Sequence, residues 1–184
     1  IWMKPIRSVI CMIPRIPGYR LALQARYPIL VASEAITDAS PSENFLNQPN
    51  SHIMNRDELK KYLPHREPML LIDELEIDGE GVAHGKYLVR DDEFFCRGHF
   101  PGNPIVPGVI QCEIMAQSCA LLVKDEIVGK TTLYSGIDNV RVKNVIRPGD
   151  LCEITARLTG RRGKLFFCEA SIHVGGKLCC KGDL

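Results

Sequence analysis

The chain has 184 residues, 45% of them hydrophobic and 24% charged, and a net charge of +1 at neutral pH. That size suits one globular domain with some chain to spare, and the near-zero charge excludes a global pull toward nucleic acid or membrane. No stretch reaches the roughly 20 consecutive apolar residues that a membrane-spanning helix needs, so a soluble protein is expected.

Residues 1–53 differ from the rest. Up to Val31 they carry Lys4, Arg7, Arg15, Arg20 and Arg26 and no acidic residue, with prolines at 5, 14, 17 and 28, and a polar Ser/Pro/Asn stretch runs from Ala39 to Ser51. Two readings fit: an organelle transit peptide, or an extraneous upstream extension outside the working protein. The second is preferred, because the chain opens on Ile1 while Met54 begins a segment that reads as a natural start. On either reading the poorly ordered leader stops at 53 and the working domain is 54–184.

From Met54 the elements follow in order. Asn55 and Asp57 can cap a short helix from Glu58 to Tyr62, which Pro64 stops. Met69-Leu70-Leu71-Ile72 is a short apolar run predicting a buried strand, and Gly79-Glu80-Gly81 turns the chain into a second strand over 82–89. Then comes a loop from Arg97 to Gly108, in which three prolines and three glycines fix an irregular path around one histidine, His99. Pro107 and Gly108 sit where a helix begins, and that helix is apolar nearly all round to about Lys124, so it is a central one. Four strands are expected after it, over 132–142, 150–159, 164–173 and 177–183, separated by glycine-containing turns. The last of these looks several residues short of a complete strand. The whole predicts an α+β domain in which a curved antiparallel sheet encloses one helix.

Eight cysteines, at 11, 96, 112, 119, 152, 168, 179 and 180, lie in apolar segments without C-x-x-C or Cys/His ligand spacing. They predict no metal site and no disulfide framework, and read as reduced, buried small hydrophobes in a cytosol-like compartment.

The chemistry sits in the few polar groups on the central helix. A carboxylate buried at Glu113 is expensive unless its pKa rises or it finds a partner, and a partly protonated carboxyl suits general acid work. Arg97 and Arg141 are candidate structural partners for it. Gln117, four residues on, lies on the same face and can orient that carboxyl. His99 is the natural base, and the first N–H groups of the helix, at Gly108, can stabilise a developing oxyanion. Base, acid and oxyanion donor together suit removal of a proton α to a carbonyl with loss of a β-hydroxyl as water. His65-Arg66 reads as structural, closing the first helix against the sheet.

These residues also carry a resemblance. Leu63-Pro64-His65-Arg66, Gly98-His99-Phe100-Pro101-Gly102, Pro107-Gly108-Val109, Glu113-x-Met115-Ala116-Gln117, Gly136-Ile137-Asp138 and Pro148-Gly149-Asp150, in that order, resemble the FabZ-type 3-hydroxyacyl-[acyl-carrier-protein] dehydratases. The resemblance implies a hot-dog fold, a homodimer or trimer of dimers in the cytoplasm, and no cofactor beyond the phosphopantetheine of an acyl carrier protein that brings the substrate. It implies His99 as base, Glu113 of the other subunit as acid, Gly108 N–H as receiver of the thioester carbonyl with Phe100 and Val109 beside the substrate, Gln117 in support, and an acyl tunnel at the dimer interface. Met69, Ile110, Ile114, Leu133 and Tyr134 are candidate tunnel liners. The basic residues Arg141, Lys143, Arg147, Arg161, Arg162 and Lys164 are either a solvated face or a dock for the acidic carrier. The FabA-type relatives carry aspartate in place of Glu113, which favours dehydration without isomerisation. Two other readings stay open: another hot-dog thioester enzyme, such as a thioesterase or CoA-linked hydratase, and a non-catalytic acyl-binding subunit.

Overall fold

A computed structural model of the chain describes residues 52–184, so the leader expected over 1–53 lies outside the described residues except for His52 and Ile53, as does Cys11. The described chain opens with a two-residue strand, β1 (Met54–Asn55), and a single-turn helix, α1 (Arg56–Leu59). Asn55 alone is the cap: its side chain accepts from the backbone of Asp57 and Glu58, and Glu58 reaches back to the Asn55 N–H, satisfying donors that the helix start leaves open. The helix therefore starts two residues earlier than the sequence suggests, and ends at Leu59, where the chain enters a turn.

The strands β2 (Glu74–Ile77), β3 (Val82–Leu88), β4 (Asp138–Val142), β5 (Leu151–Arg162), β6 (Leu165–Val174) and β7 (Lys177–Asp183) join β1 in one antiparallel sheet of order β1-β2-β3-β5-β6-β7-β4. Register shifts in the β5–β6, β6–β7 and β4–β7 pairings bend it. The helix α2 (Gly108–Leu121) packs on β3, β5, β6 and β7. It is followed by a single-turn helix, α3 (Lys124–Ile127). This is the expected α+β arrangement of a curved sheet around one helix, the hot-dog fold.

Period-two alternation turns Ala83, Gly85 and Tyr87 of β3, Cys152, Ile154 and Ala156 of β5, and Cys168, Ala170 and Ile172 of β6 inward. Small residues sit in the middle of that face, and the helix comes close to it. A Cβ added at Gly85 would lie 3.0 Å from Ser118 Oγ and 3.2 Å from Ile72 Cδ1. Ile114, Met115 and Leu121 are fully buried between helix and sheet, each stabilising the fold by roughly 1.5–3 kcal/mol. All seven described cysteines are free and buried, and Cys112 lies near Cys180 and Cys119 near Cys168, between α2 and strands β7 and β6.

Three expectations are corrected. The apolar run 69–72 is buried at Leu70, Leu71 and Ile72 but is no strand: side-chain groups of Gln117, not a neighbouring strand, bond its backbone. The strand expected over 132–142 begins only at Asp138: residues 132–137 run irregularly, and 132–136 line a cavity. The helix ends at Leu121, and its first turn is not enclosed: Val109 is 77% exposed.

Asp73, just before β2, ties three segments together. It accepts from Arg56 at 2.5 Å, Arg90 at 2.7 Å and the Leu88 N–H at 2.8 Å. Burial pushes its carboxyl up, but the donors from Arg90, Leu88 and Arg56 together outweigh burial and hold it below its usual range. A carboxyl lowered in the folded state contributes stability that is present above its unfolded value, about 4, and is lost as pH falls through the folded value. Asp73→Asn is expected to cost about 1–3 kcal/mol in urea unfolding at pH 7, with the gap to the parent narrowing below about pH 4. Gly85→Val is expected to cost about 1–3 kcal/mol in the same assay at any pH, because Ser118 and Ile72 must give way.

Candidate active site

The loop before α2 holds His99 by its own backbone. His99 N–H donates to Cys96 O at 3.2 Å, Ile105 N–H to His99 O at 2.8 Å, and Phe100 and Asn103 bond each other at 3.2 and 2.9 Å. Arg147 reaches in from the turn before β5 to Asn103 Oδ1 at 2.7 Å and Pro104 O at 3.3 Å. His99 Nδ1 lies 3.2 Å from Ile105 O. A carbonyl can only accept, so Nδ1 carries a hydrogen, and in the neutral ring Nε2 then presents its lone pair. The Phe100 ring stacks on the imidazole at 4.2 Å and is itself half exposed.

Pro107 ends this loop, and Ile110 N–H and Gln111 N–H both donate to Pro107 O. The N–H groups of Gly108 and Val109 therefore precede the first helical bond, the position from which a helix start can hold a negatively charged oxygen. Gly108 is tightly placed, since a Cβ there would meet Val142 at 3.2 Å.

One and a half turns later Glu113 enters a cavity of about 530 Å³, lined also by His65, Gln117, Leu133, Tyr134 and Cys168, with Lys130, Arg161 and Lys164 among its basic residues. Gln117 is nearly fully buried with its amide fixed from three sides: Oε1 accepts from Leu71 N–H at 2.9 Å, and Nε2 donates to Met69 O at 2.7 Å and Glu113 Oε1 at 2.9 Å. Gln117 thus orients Glu113 as the i, i+4 spacing suggests. The partner of Glu113 is not Arg97 or Arg141, however. It is His65, whose Nε2 lies 3.3 Å from Glu113 Oε1. That contact, followed by the hydrogen bond from Gln117, outweighs burial and holds the carboxyl below its usual range. Of the two outcomes the sequence left open, a raised pKa or a partner, the structure shows the partner, and the carboxyl is not pushed up. Tyr134 donates to Cys112 O at 2.9 Å, and burial followed by the nearby Glu113 charge pushes its phenol up.

One chain does not assemble the whole expected set. Glu113 and Gln117 line the cavity, whereas His99, Phe100, Gly108 and Val109 do not, and no hydrogen bond or ion pair joins His99 to Glu113 among the described residues. Of the candidate tunnel liners, Leu133 and Tyr134 line this cavity; Met69, Ile110 and Ile114 do not. In the basic set, Arg161 is bound bidentately to Glu126 at 2.6 and 2.7 Å, Arg147 serves the His99 loop, and Lys164 faces the cavity. The residue that sequence reasoning misplaced is His65; its position in Leu63-Pro64-His65-Arg66 flagged it, but only the fold brings it to Glu113. Among the described residues no helix is long and apolar enough to cross a membrane, and no three metal-ligating side chains converge.

Comparison with known proteins follows the same lines. The family model described as ApeI dehydratase matches residues 76–183. The 3-hydroxyacyl-[acyl-carrier-protein] dehydratase FabZ of Caldicellulosiruptor saccharolyticus is 45% identical over 125 residues, covering 66% of this chain and 89% of the relative. The FabZ of Clostridioides difficile is 41% identical over 135 residues, covering 72% and 95%. The dehydratase heterocomplex ApeI:P of Xenorhabdus doucetiae superposes with a TM-score of 0.58 at 24% identity, covering 68% of this chain and 87% of that one, which is a likeness of fold. With nearly the full length of such relatives matched at this identity, on a hot-dog fold that carries the histidine loop and the carboxylate helix, the chain belongs to the FabZ family of 3-hydroxyacyl-[acyl-carrier-protein] dehydratases.

Proposed function

We propose that the chain dehydrates 3-hydroxyacyl thioesters carried on an acyl carrier protein to trans-2-enoyl thioesters in fatty acid biosynthesis, with His99 as base and Glu113 of a second copy as acid. The family relationship supports the reaction. The observation that carries the residue roles is the pair of fixed groups: an imidazole with its Nε2 lone pair free by tautomer, and a carboxylate oriented by Gln117 in a cavity.

In this mechanism the thioester carbonyl accepts from Gly108 N–H, which makes the α-hydrogen acidic. His99 Nε2 takes that proton, the C–H electron pair becomes the new double bond, and the β-hydroxyl leaves as water with a proton from Glu113, which acts from its protonated minority form because its carboxyl is held below the usual range. His99 and Glu113 do not meet within one chain, and Phe100, Val109, Leu133 and Val142 expose apolar side chains, Leu133 at 87%. Both features favour a dimer in which one copy's loop faces the other's helix. Phe100 and Val109 then flank the substrate, and Lys130 and Lys164 give the cavity local positive charge for the phosphate of the carrier's phosphopantetheine. The elimination needs no further cofactor. The free thiols fit a reducing, cytoplasm-like compartment.

The test is ultraviolet detection of enoyl thioester from 3-hydroxyacyl-carrier substrates of several chain lengths. The parent chain is expected to be active, and Glu113→Gln and His99→Ala each to lose about 10²–10⁴-fold in rate while keeping the parent's elution volume in size-exclusion chromatography. An unchanged rate in either variant overturns that residue's role. A folded parent silent on all chain lengths, but active in thioester hydrolysis, replaces the dehydratase reading with the thioesterase one.

A further inference from the structure

His65 is the histidine that the mechanism above leaves unused, yet it stands at the acid. It reaches the cavity from the turn that follows α1, and that turn is held by Arg66, which donates to Leu63 O at 3.0 Å, His65 O at 2.7 Å and Lys60 O at 3.2 Å. The imidazole is three-quarters buried, and its Nδ1 is buried with no hydrogen-bond partner. Its one polar contact is therefore Nε2 on Glu113. A ring that merely filled space against the sheet would gain nothing from burying an unpaired nitrogen, which carries a desolvation penalty.

The pattern of donors on Glu113 is asymmetric. His65 Nε2 at 3.3 Å and Gln117 Nε2 at 2.9 Å both converge on Oε1. Among the described residues no hydrogen bond or ion pair reaches Oε2. Two donors arriving from different segments fix the carboxylate plane as well as its position, which a single donor cannot do.

We propose that His65 is a positioning residue for the proposed reaction: with Gln117 it anchors Glu113 by Oε1, so that Oε2 is the oxygen that delivers the proton to the departing hydroxyl. This rests on the dehydratase reading and deepens it. The other titratable groups near the carboxylate are Tyr134, from the segment after α3, and Cys112 beside it on α2. Neither donates to it. His65 is also the largest single cause of the lowered Glu113 carboxyl, so the same contact sets how readily Glu113 holds a proton.

The experiment uses the full chain with carbon-13-labelled glutamate, following Glu113 by NMR titration, with Glu113→Gln to assign its signal, beside steady-state kinetics. His65→Phe keeps a ring without a donor, and His65→Leu stands in should that ring disturb the loop; His65→Gln restores an amide donor. Without a donor, the Glu113 midpoint is expected to move up and kcat to fall about tenfold or more with KM unchanged, since an interaction that orients the proton acts in the transition state. His65→Gln is expected to recover much of kcat. A Glu113 midpoint that does not move in the folded donor-free variant overturns the proposal, as does a loss confined to KM. If the parent has no dehydratase activity, the reading of the reaction fails, and the titration by itself still decides whether His65 holds Glu113.

Discussion

The fold and the site share one constraint, the buried amide of Gln117. Its three hydrogen bonds join the middle of α2 to the backbone of Met69 and Leu71 and to the carboxylate of Glu113. Because Oε1 accepts from a backbone N–H, the amide cannot flip, and its nitrogen must point at Glu113. Leu71 N–H and Met69 O thus find partners without a strand neighbour, and with Arg56 donating to Leu70 O the apolar run before β2 can lie buried as irregular chain. One side chain does the work of a ladder and aims the acid at the same time.

The second constraint is how closely α2 approaches the sheet. Gly85, Ala156 and Ala170 on the concave face, with cysteines between helix and strands, give little side-chain height, so Ser118 comes within van der Waals reach of β3. A close helix places the Glu113 end of α2 over the irregular segment 132–136, which lines the cavity instead of extending the sheet. It also leaves the start of α2, with Val109 and the His99 loop, at the exposed side of the domain. The separation of base from acid within one chain follows from where the loop and the helix middle face.

Much of this was legible in residue types. The Pro/Gly loop around His99, the helix start at Pro107-Gly108, and the Glu113–Gln117 spacing are local, and local spacing survives into the fold because a helix repeats every 3.6 residues. The strands after Gly149 were legible for the same reason, their alternation and glycine turns being short-range. The run at 69–72 was misread because its partner is a side chain 46 residues away from Leu71, and an apolar run looks alike whether a strand or an amide satisfies its backbone. The segment 132–137 has β-forming residues but no neighbour to pair with.

The sequence by itself determined the family, the helix that carries the acid, and the loop that carries the base, since each is written in residues adjacent or a few positions apart. Tertiary structure alone decided the state of Glu113. Burial viewed from α2 predicts a carboxyl pushed up, but His65, brought 3.3 Å away by the turn after α1, and Gln117 reverse the direction. A pKa is set by the sum of desolvation and every donor within reach, and donors from distant segments have no signal in the local sequence.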